Sequence, residues 1–153
     1  MIQLDCFEVL DSKGNVYLDN LRGAKESLQY TFGEEGTITY RPSFTFMGFR
    51  YAKIVSFPGE PSLDNFTANA IHTNMERTGF LETSNQDLNQ LAHNILWGLK
   101  SNFVDVPTDC PQRDERLGWT GDAEIFCRTA CFLENTYFRY RNFHRIMVAS
   151  LWL

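Results

Sequence analysis

The sequence has 153 residues, of which 43% are hydrophobic, 14% aromatic and 22% charged, with a formal net charge of −5 at pH 7. This balance is typical of a globular protein and excludes a disordered chain. The negative charge and the lack of a basic block argue against a nucleic-acid partner, because phosphate binding needs clustered Lys and Arg. No apolar run approaches the roughly 20 residues that cross a bilayer, so no membrane partner is predicted.

Short alternating runs separated by turn signals fill the first half of the sequence, which is typical of strands. Two of them lie in FEVLDSKGNVYLDNL on either side of a turn signal at residues 12–15, and further strands are predicted in SLQYTF, TITYRPSFTF, GFRYAKIVSF and FTANAIHTNM. No crossover helix separates these runs, so the sheet is predicted to be antiparallel. Strands of this length and spacing predict a β-sandwich.

The pattern becomes helical near residue 83. Residues 84–87, SNQD, resemble a capping box at a helix start, with Asp87 three positions after Ser84. Apolar residues then recur at helical spacing, namely Leu88, Leu91, Ala92, Ile95 and Leu99. Thr120 is predicted to cap a second helix, and a break near Asn135 leads to a third.

The loop before the second helix contains DCPQRDERLGWTGD, residues 109–122, which has no hydrophobic period. A carboxylic acid can protonate a leaving oxygen, ionised carboxylates accept hydrogen bonds from sugar hydroxyls, and an indole face packs on a sugar ring. Gly118 and Gly121 are predicted to let the backbone turn sharply beside Trp119. These residues favour carbohydrate hydrolysis by paired carboxylates. A solvated charged loop with local Arg–Asp pairs is the alternative interpretation.

A longer stretch of the same region, DVPTDCPQRDERLGWTGDA at residues 105–123, closely resembles the signature of the bacterial α-L-rhamnosidases, glycoside hydrolase family 78. PSFTFMGFRYAKI and RTGFLETSNQDLNQLAHNILWGLKSNF also resemble that family. The resemblance implies β-sandwich domains followed by a catalytic (α/α)6 toroid. It therefore implies that residues 1–82 are the closing part of a sandwich and that residues 83–153 supply only the opening helices of the toroid.

The resemblance also implies roles for five residues. Glu115 corresponds to the general acid that protonates the glycosidic oxygen. Asp109, Arg113 and Asp122 match positions that bind rhamnose hydroxyls, and Trp119 matches a ring that lines the sugar pocket. The family's general base lies further along than residue 153, so this chain alone is expected to be an inactive fragment. The implied partner is a glycoside or polysaccharide carrying terminal α-L-rhamnose, with no cofactor and no metal.

Two other functions stay open: a carbohydrate-binding module without catalysis, and another (α/α)6 glycosidase with a different sugar specificity. The four cysteines and three histidines lack the spacing of zinc ligands. A chain that holds only the opening helices is expected to expose apolar helix faces and to self-associate through them. The residues predicted to form those faces are Leu99, Phe126, Phe138, Ile146 and Trp152.

Overall fold

A computed structural model describes residues 1–150, without the side chain of Ser150. These residues form two compact units. The first unit comprises Met1–Asn69 together with Pro111–Glu115, and the second comprises Ala70–Cys110 and the residues from Arg116 onward. A five-residue segment of the signature therefore packs with a part of the chain that lies more than forty positions earlier. The domain limits at residues 82 and 83 stay a prediction.

The first unit is built from strands. They are β1 (Ile2–Phe7), β2 (Val9–Leu10), β3 (Val16–Tyr17), β4 (Ser27–Tyr30) and β5 (Tyr51–Ser56). Three of them form one sheet in the order β4-β1-β5, and both pairings are antiparallel, which confirms the predicted strand direction. The central strand β1 was not predicted, although Ile2, Leu4 and Cys6 alternate with polar residues along it.

Two of the predicted strands are absent from the described part of the chain. Neither residues 37–46 nor residues 66–75 form a strand. In the first of these stretches Pro42 lacks a backbone N–H, and Phe44 has a φ of 63°, which interrupts an extended backbone. The apolar alternation of both stretches was therefore a poor guide to strand pairing.

The turn predicted at residues 12–15 is confirmed as the connection of the antiparallel hairpin β2–β3. Asp11 organises this turn, because its Oδ1 accepts hydrogen bonds from the backbone N–H groups of Lys13 (2.8 Å) and Asn15 (2.7 Å). The Asn15 side-chain amide donates to Asp11 Oδ2 at 2.9 Å. Gly14 takes a φ of 81°, which an L side chain rarely adopts.

The second unit contains the helices. Its elements are α1 (Gln86–Asn102), β6 (Phe103–Val104), β7 (Val106–Pro107), α2 (Thr120–Leu133) and α3 (Tyr137–Ser150). The three predicted helices are therefore present. Residues of α1, β6 and α2 form the buried core of this unit, namely Leu99, Phe103, Ala130 and Leu133. None of its described helices is long and apolar enough to cross a membrane.

The ends of two helices differ from the prediction by one residue. The cap of α1 is Asn85 and not Ser84, because Asn85 Oδ1 accepts from the backbone N–H groups of Asp87 (2.9 Å) and Leu88 (3.3 Å). At α2 the cap residue is Trp119, and no side-chain hydrogen bond caps that helix. The predicted role of the Thr120 hydroxyl is thus wrong.

The five residues predicted to form exposed apolar faces divide into separate groups. Leu99 is only 1% exposed and lies in the core, so its prediction is wrong, and Phe126 is partly buried against the same core. Phe138 and Ile146 are exposed as predicted, with 66% and 54% of their surfaces accessible. Trp152 lies outside the described residues.

Candidate active site

The loop that carries the signature is closed at its base by backbone pairing within the second unit. Strands β6 and β7 form a two-stranded hairpin, with Asp105 at its tip in a left-handed conformation (φ 73°). Immediately after β7, the backbone of Thr108 pairs with that of Gly118, and its N–H donates to the carbonyl oxygen of Asn102 at 3.0 Å. The two ends of the 109–117 segment are therefore held next to each other in this unit by the pairing of Thr108 with Gly118.

The two glycines beside Trp119 do not have the predicted role of making a sharp turn. Among the described residues the glycines with positive φ are others, so neither Gly118 nor Gly121 needs a backbone conformation reserved for glycine. Gly118 is instead required by space, since a Cβ on it would lie 2.6 Å from Cε2 of the buried Phe143. A Cβ on Gly121 would meet no atom within 4 Å.

The signature residues Pro111–Glu115 belong to the first unit and lie against two of its glycines. A Cβ on Gly48 would fall 2.9 Å from Cγ of Pro111 and 3.0 Å from the backbone nitrogen of Gln112, so this contact excludes any side chain. The backbone N–H of Gly23 donates to Oδ2 of Asp114 at 3.2 Å. The first unit thus holds both ends of this segment.

Glu115 is paired with two guanidinium groups of the first unit. Its Oε2 lies 2.5 Å from Nη1 of Arg22 and 3.1 Å from Nη2 of Arg113. The side chains are 54% exposed for Arg22, 33% for Arg113 and 34% for Glu115. Ion pairs this accessible add little to folding stability, so the contacts matter chiefly for where they hold the carboxylate.

The structure brings together two of the five predicted site residues, Arg113 and Glu115. The other three belong to the second unit. Asp109 is partly buried, next to the buried Cys110. Trp119, at the start of α2, has 43% of its surface exposed, and Asp122 is exposed in the first turn of that helix. A carboxylate there interacts favourably with the positive end of the helix dipole.

Sequence reasoning missed Arg22, which lies 93 positions before its partner Glu115. Its backbone has φ 55° and ψ −117°, outside the left-handed helical region that non-glycine residues occasionally enter. No motif marks this residue, because its contact depends on the packing of the 111–115 segment in the first unit. The only signal was its neighbour Gly23, which suits a turn.

The cavities described in the two units lie away from these residues. An open depression of about 330 Å³ in the second unit is lined mainly by Asn74–Glu76 and by residues at the start of α3. Another, of about 290 Å³, is lined by Tyr30 and residues 32–38 of the first unit. Within residues 1–150 no group of three or more His, Cys, Asp or Glu side chains is placed to hold a metal ion.

Two protein families match the chain, one for each half. Residues 1–72 match the bacterial alpha-L-rhamnosidase concanavalin-like domain, and residues 76–150 match the bacterial alpha-L-rhamnosidase six-hairpin glycosidase domain. These matches confirm the predicted fold class, an antiparallel β-sandwich portion followed by the opening helices of a six-hairpin, (α/α)6 glycosidase domain.

Individual proteins of high similarity share the same designation. An alpha-L-rhamnosidase of Streptomyces avermitilis is 47% identical over 131 residues, covering 86% of this chain. One from Formosa agariphila is 45% identical over 132 residues, covering 85%. The chain spans 13% and 14% of the lengths of these two relatives. The crystal structure of a Streptomyces avermitilis alpha-L-rhamnosidase complexed with L-rhamnose matches 92% of this chain and 14% of its own, with 44% identity and a TM-score of 0.84.

Proposed function

Because the chain belongs to the bacterial α-L-rhamnosidase family, we propose that it supplies the proton-donating part of a glycoside hydrolase that removes terminal α-L-rhamnose from glycosides or polysaccharides. The choice of rhamnose as the sugar is supported by the crystal structure of the Streptomyces avermitilis relative, which is complexed with L-rhamnose. The observation that carries the proposal is the contiguous carboxylate-rich signature at residues 105–123, in which Glu115 contacts Arg113 of the signature and Arg22.

In this proposal Glu115 is the general acid that protonates the departing glycosidic oxygen. Asp109, Arg113 and Asp122 bind rhamnose hydroxyls, and Trp119 offers its face to the sugar ring. The exposure of the Trp119 ring and of the Asp122 carboxylate supports these roles, since a sugar can reach both.

Inversion at the sugar carbon requires a second carboxylate, about 6.5–9.5 Å from the first, with a water molecule between them. We propose that this general base comes from outside the 153 residues, as the family resemblance implies. The same resemblance supports assigning residues 1–82 to the sandwich portion and residues 83–153 to the catalytic domain.

The test is Glu115→Gln in the complete protein that includes these residues, assayed with rhamnosides of different leaving groups. We expect turnover to fall about 10²- to 10⁴-fold on an alkyl rhamnoside, the range for loss of a general acid. The loss should be much smaller on a nitrophenyl rhamnoside, because that leaving group needs little help from a proton. Near-normal turnover on the alkyl substrate would refute the role of Glu115.

Glu124→Gln is the matched control, because this exposed carboxylate of α2 lies nine positions later and has no proposed role. It should leave both substrates unaffected. A panel of nitrophenyl glycosides assayed in parallel tests the sugar specificity. Turnover of another sugar in preference to rhamnose would support a glycosidase of different specificity, and L-rhamnose binding without turnover would support a binding module.

A further inference from the structure

We infer that Arg22, a residue of the sandwich portion, is a positioning residue for the general acid. The inference rests on the proposed function, because it gives Arg22 a role only through Glu115. Arg22 does not itself need to touch the sugar. It would hold the carboxyl group in place.

The contact pattern favours a positioning role. Two consecutive residues, Arg22 and Gly23, contact two consecutive residues of the signature, Glu115 and Asp114. The guanidinium of Arg22 donates to Glu115 Oε2, and the N–H of Gly23 donates to Asp114 Oδ2. Two adjacent hydrogen bonds fix both the position and the direction of the chain that presents the carboxyl group, which one contact alone would not do.

The backbone of Arg22 supports the same inference. A φ of 55° with a ψ of −117° is a conformation that glycine adopts freely and that L side chains avoid. Strained residues of this kind are concentrated at functional sites. An arginine at a position that suits glycine is understandable if its side chain does something that glycine cannot, and here that side chain reaches Glu115.

The exposure of Arg22 and Glu115 indicates whether loss of their contact should affect folding stability or catalysis. Arg22 is 54% exposed and Glu115 is 34% exposed, so solvent screens their attraction and the ion pair stabilises the fold only slightly. The loss of this contact should therefore appear in the kinetics and not in the folding stability.

The experiment compares three variants of the complete protein with Glu115→Gln. Arg22→Gly removes the guanidinium and relieves the backbone strain, and Arg22→Lys keeps the charge. Phe44→Gly is the matched control, because Phe44 also has a positive φ, 63°, in the same unit and its side chain is fully exposed. Each variant is measured for kcat and KM and for its thermal unfolding midpoint.

For Arg22→Gly we expect kcat to fall about tenfold with little change in KM, since displacing a catalytic group by about 1 Å can cost about a hundredfold. Its unfolding midpoint should stay level or rise, and Arg22→Lys should restore part of the lost kcat, because a lysine ammonium can still bind the carboxylate.

An unchanged kcat in Arg22→Gly would overturn the inference, and an unchanged kcat with a lower unfolding midpoint would show that Arg22 only supports the fold. Phe44→Gly should match the unsubstituted protein in kinetics; an equal loss of kcat there would also overturn the inference, because relief of backbone strain would then explain both. If Glu115→Gln keeps normal turnover on alkyl rhamnosides, the proposed function itself fails. If that variant is inactive while Arg22→Gly is normal, only the role of Arg22 is refuted.

Discussion

At the residue scale, the two glycines of GWTG show that identical residues three positions apart can have unrelated requirements. Gly118 lies against the ring of Phe143, which is only 7% exposed and cannot move aside into solvent. Gly121, in the first turn of α2, faces open space. The first glycine is therefore needed for packing, and the second is tolerated by the helix.

Alanine at each position separates these requirements. We expect Gly118→Ala to lower the free energy of unfolding by about 1–3 kcal/mol, the usual effect of overpacking a filled site. Gly121→Ala, the matched control, should be neutral or stabilising by up to about 1 kcal/mol, because alanine loses less backbone entropy than glycine in a helix. Urea denaturation of both variants measures the difference, and equal effects would contradict the packing argument.

The site residues illustrate what sequence reasoning reaches at this scale. Asp109, Arg113, Glu115, Trp119 and Asp122 could be proposed because they lie in one contiguous stretch that resembles a family signature. Arg22 could not, because nothing local relates it to a residue 93 positions later. Gly118 was assigned the wrong physical reason, since the ring of Phe143 that requires it comes from a distant part of the sequence.

At the element scale, helices were predicted more reliably than strands. The apolar spacing in α1 and the break before α3 depend on neighbours within a few residues, so both can be predicted from the local sequence. Strand pairing depends on distant partners, and residues 37–46 alternate as a strand would but have no strand to pair with. The central strand β1 was overlooked, although its pairing on both sides makes it the centre of the sheet.

The turn of the β2–β3 hairpin is predicted to depend on pH, because a carboxylate accepts its hydrogen bonds. Hydrogen bonds lower the pKa of Asp11 below its usual value of 3.8. The largest effect comes from the side chain of Asn15, followed by its backbone N–H, and Lys13 and Gly14 contribute less. A carboxyl group with a lowered folded pKa stabilises the fold above its unfolded pKa, and that stabilisation is lost as the pH falls through the folded value. The turn should therefore loosen only below the ordinary range of aspartate titration.

Asn15→Ala tests this link. Its loss of the side-chain hydrogen bond should move the titration midpoint of Asp11 upward, toward 3.8, in carboxyl-carbon NMR spectra recorded during acidification. Ser12→Ala, an exposed substitution in the same turn, should leave the midpoint unchanged. An unchanged midpoint in Asn15→Ala would show that the backbone hydrogen bonds alone determine the titration.

At the scale of the whole molecule, the second unit leaves many large apolar side chains accessible to solvent. Besides Phe138 and Ile146, these include Phe80, Ile125 and Phe132, which are 78%, 86% and 53% exposed. A folded protein rarely exposes so many large apolar groups unless another surface covers some of them. The chain on its own is therefore expected to self-associate.

Light scattering on the 153-residue chain tests this expectation. We predict species larger than a monomer at micromolar concentration, and a shift toward monomer when Ile125→Glu and Phe138→Glu are combined. As the matched control, Ile54→Glu and Val55→Glu are combined in the first unit, where both residues are less exposed. This pair should shift the chain toward monomer less strongly. A monodisperse monomer of the unsubstituted chain would contradict the prediction.

Pro111–Glu115 belongs to the first unit, although the chain on either side of it belongs to the second. This arrangement restricts how such genes can recombine. A crossover that brought in a foreign N-terminal half would replace Arg22, Gly23 and Gly48 while retaining the old residues that fit against them. Hybrids of that kind should survive only when both parents carry compatible residues at these contacts, so the sandwich portion and the segment that carries Glu115 are expected to be inherited together.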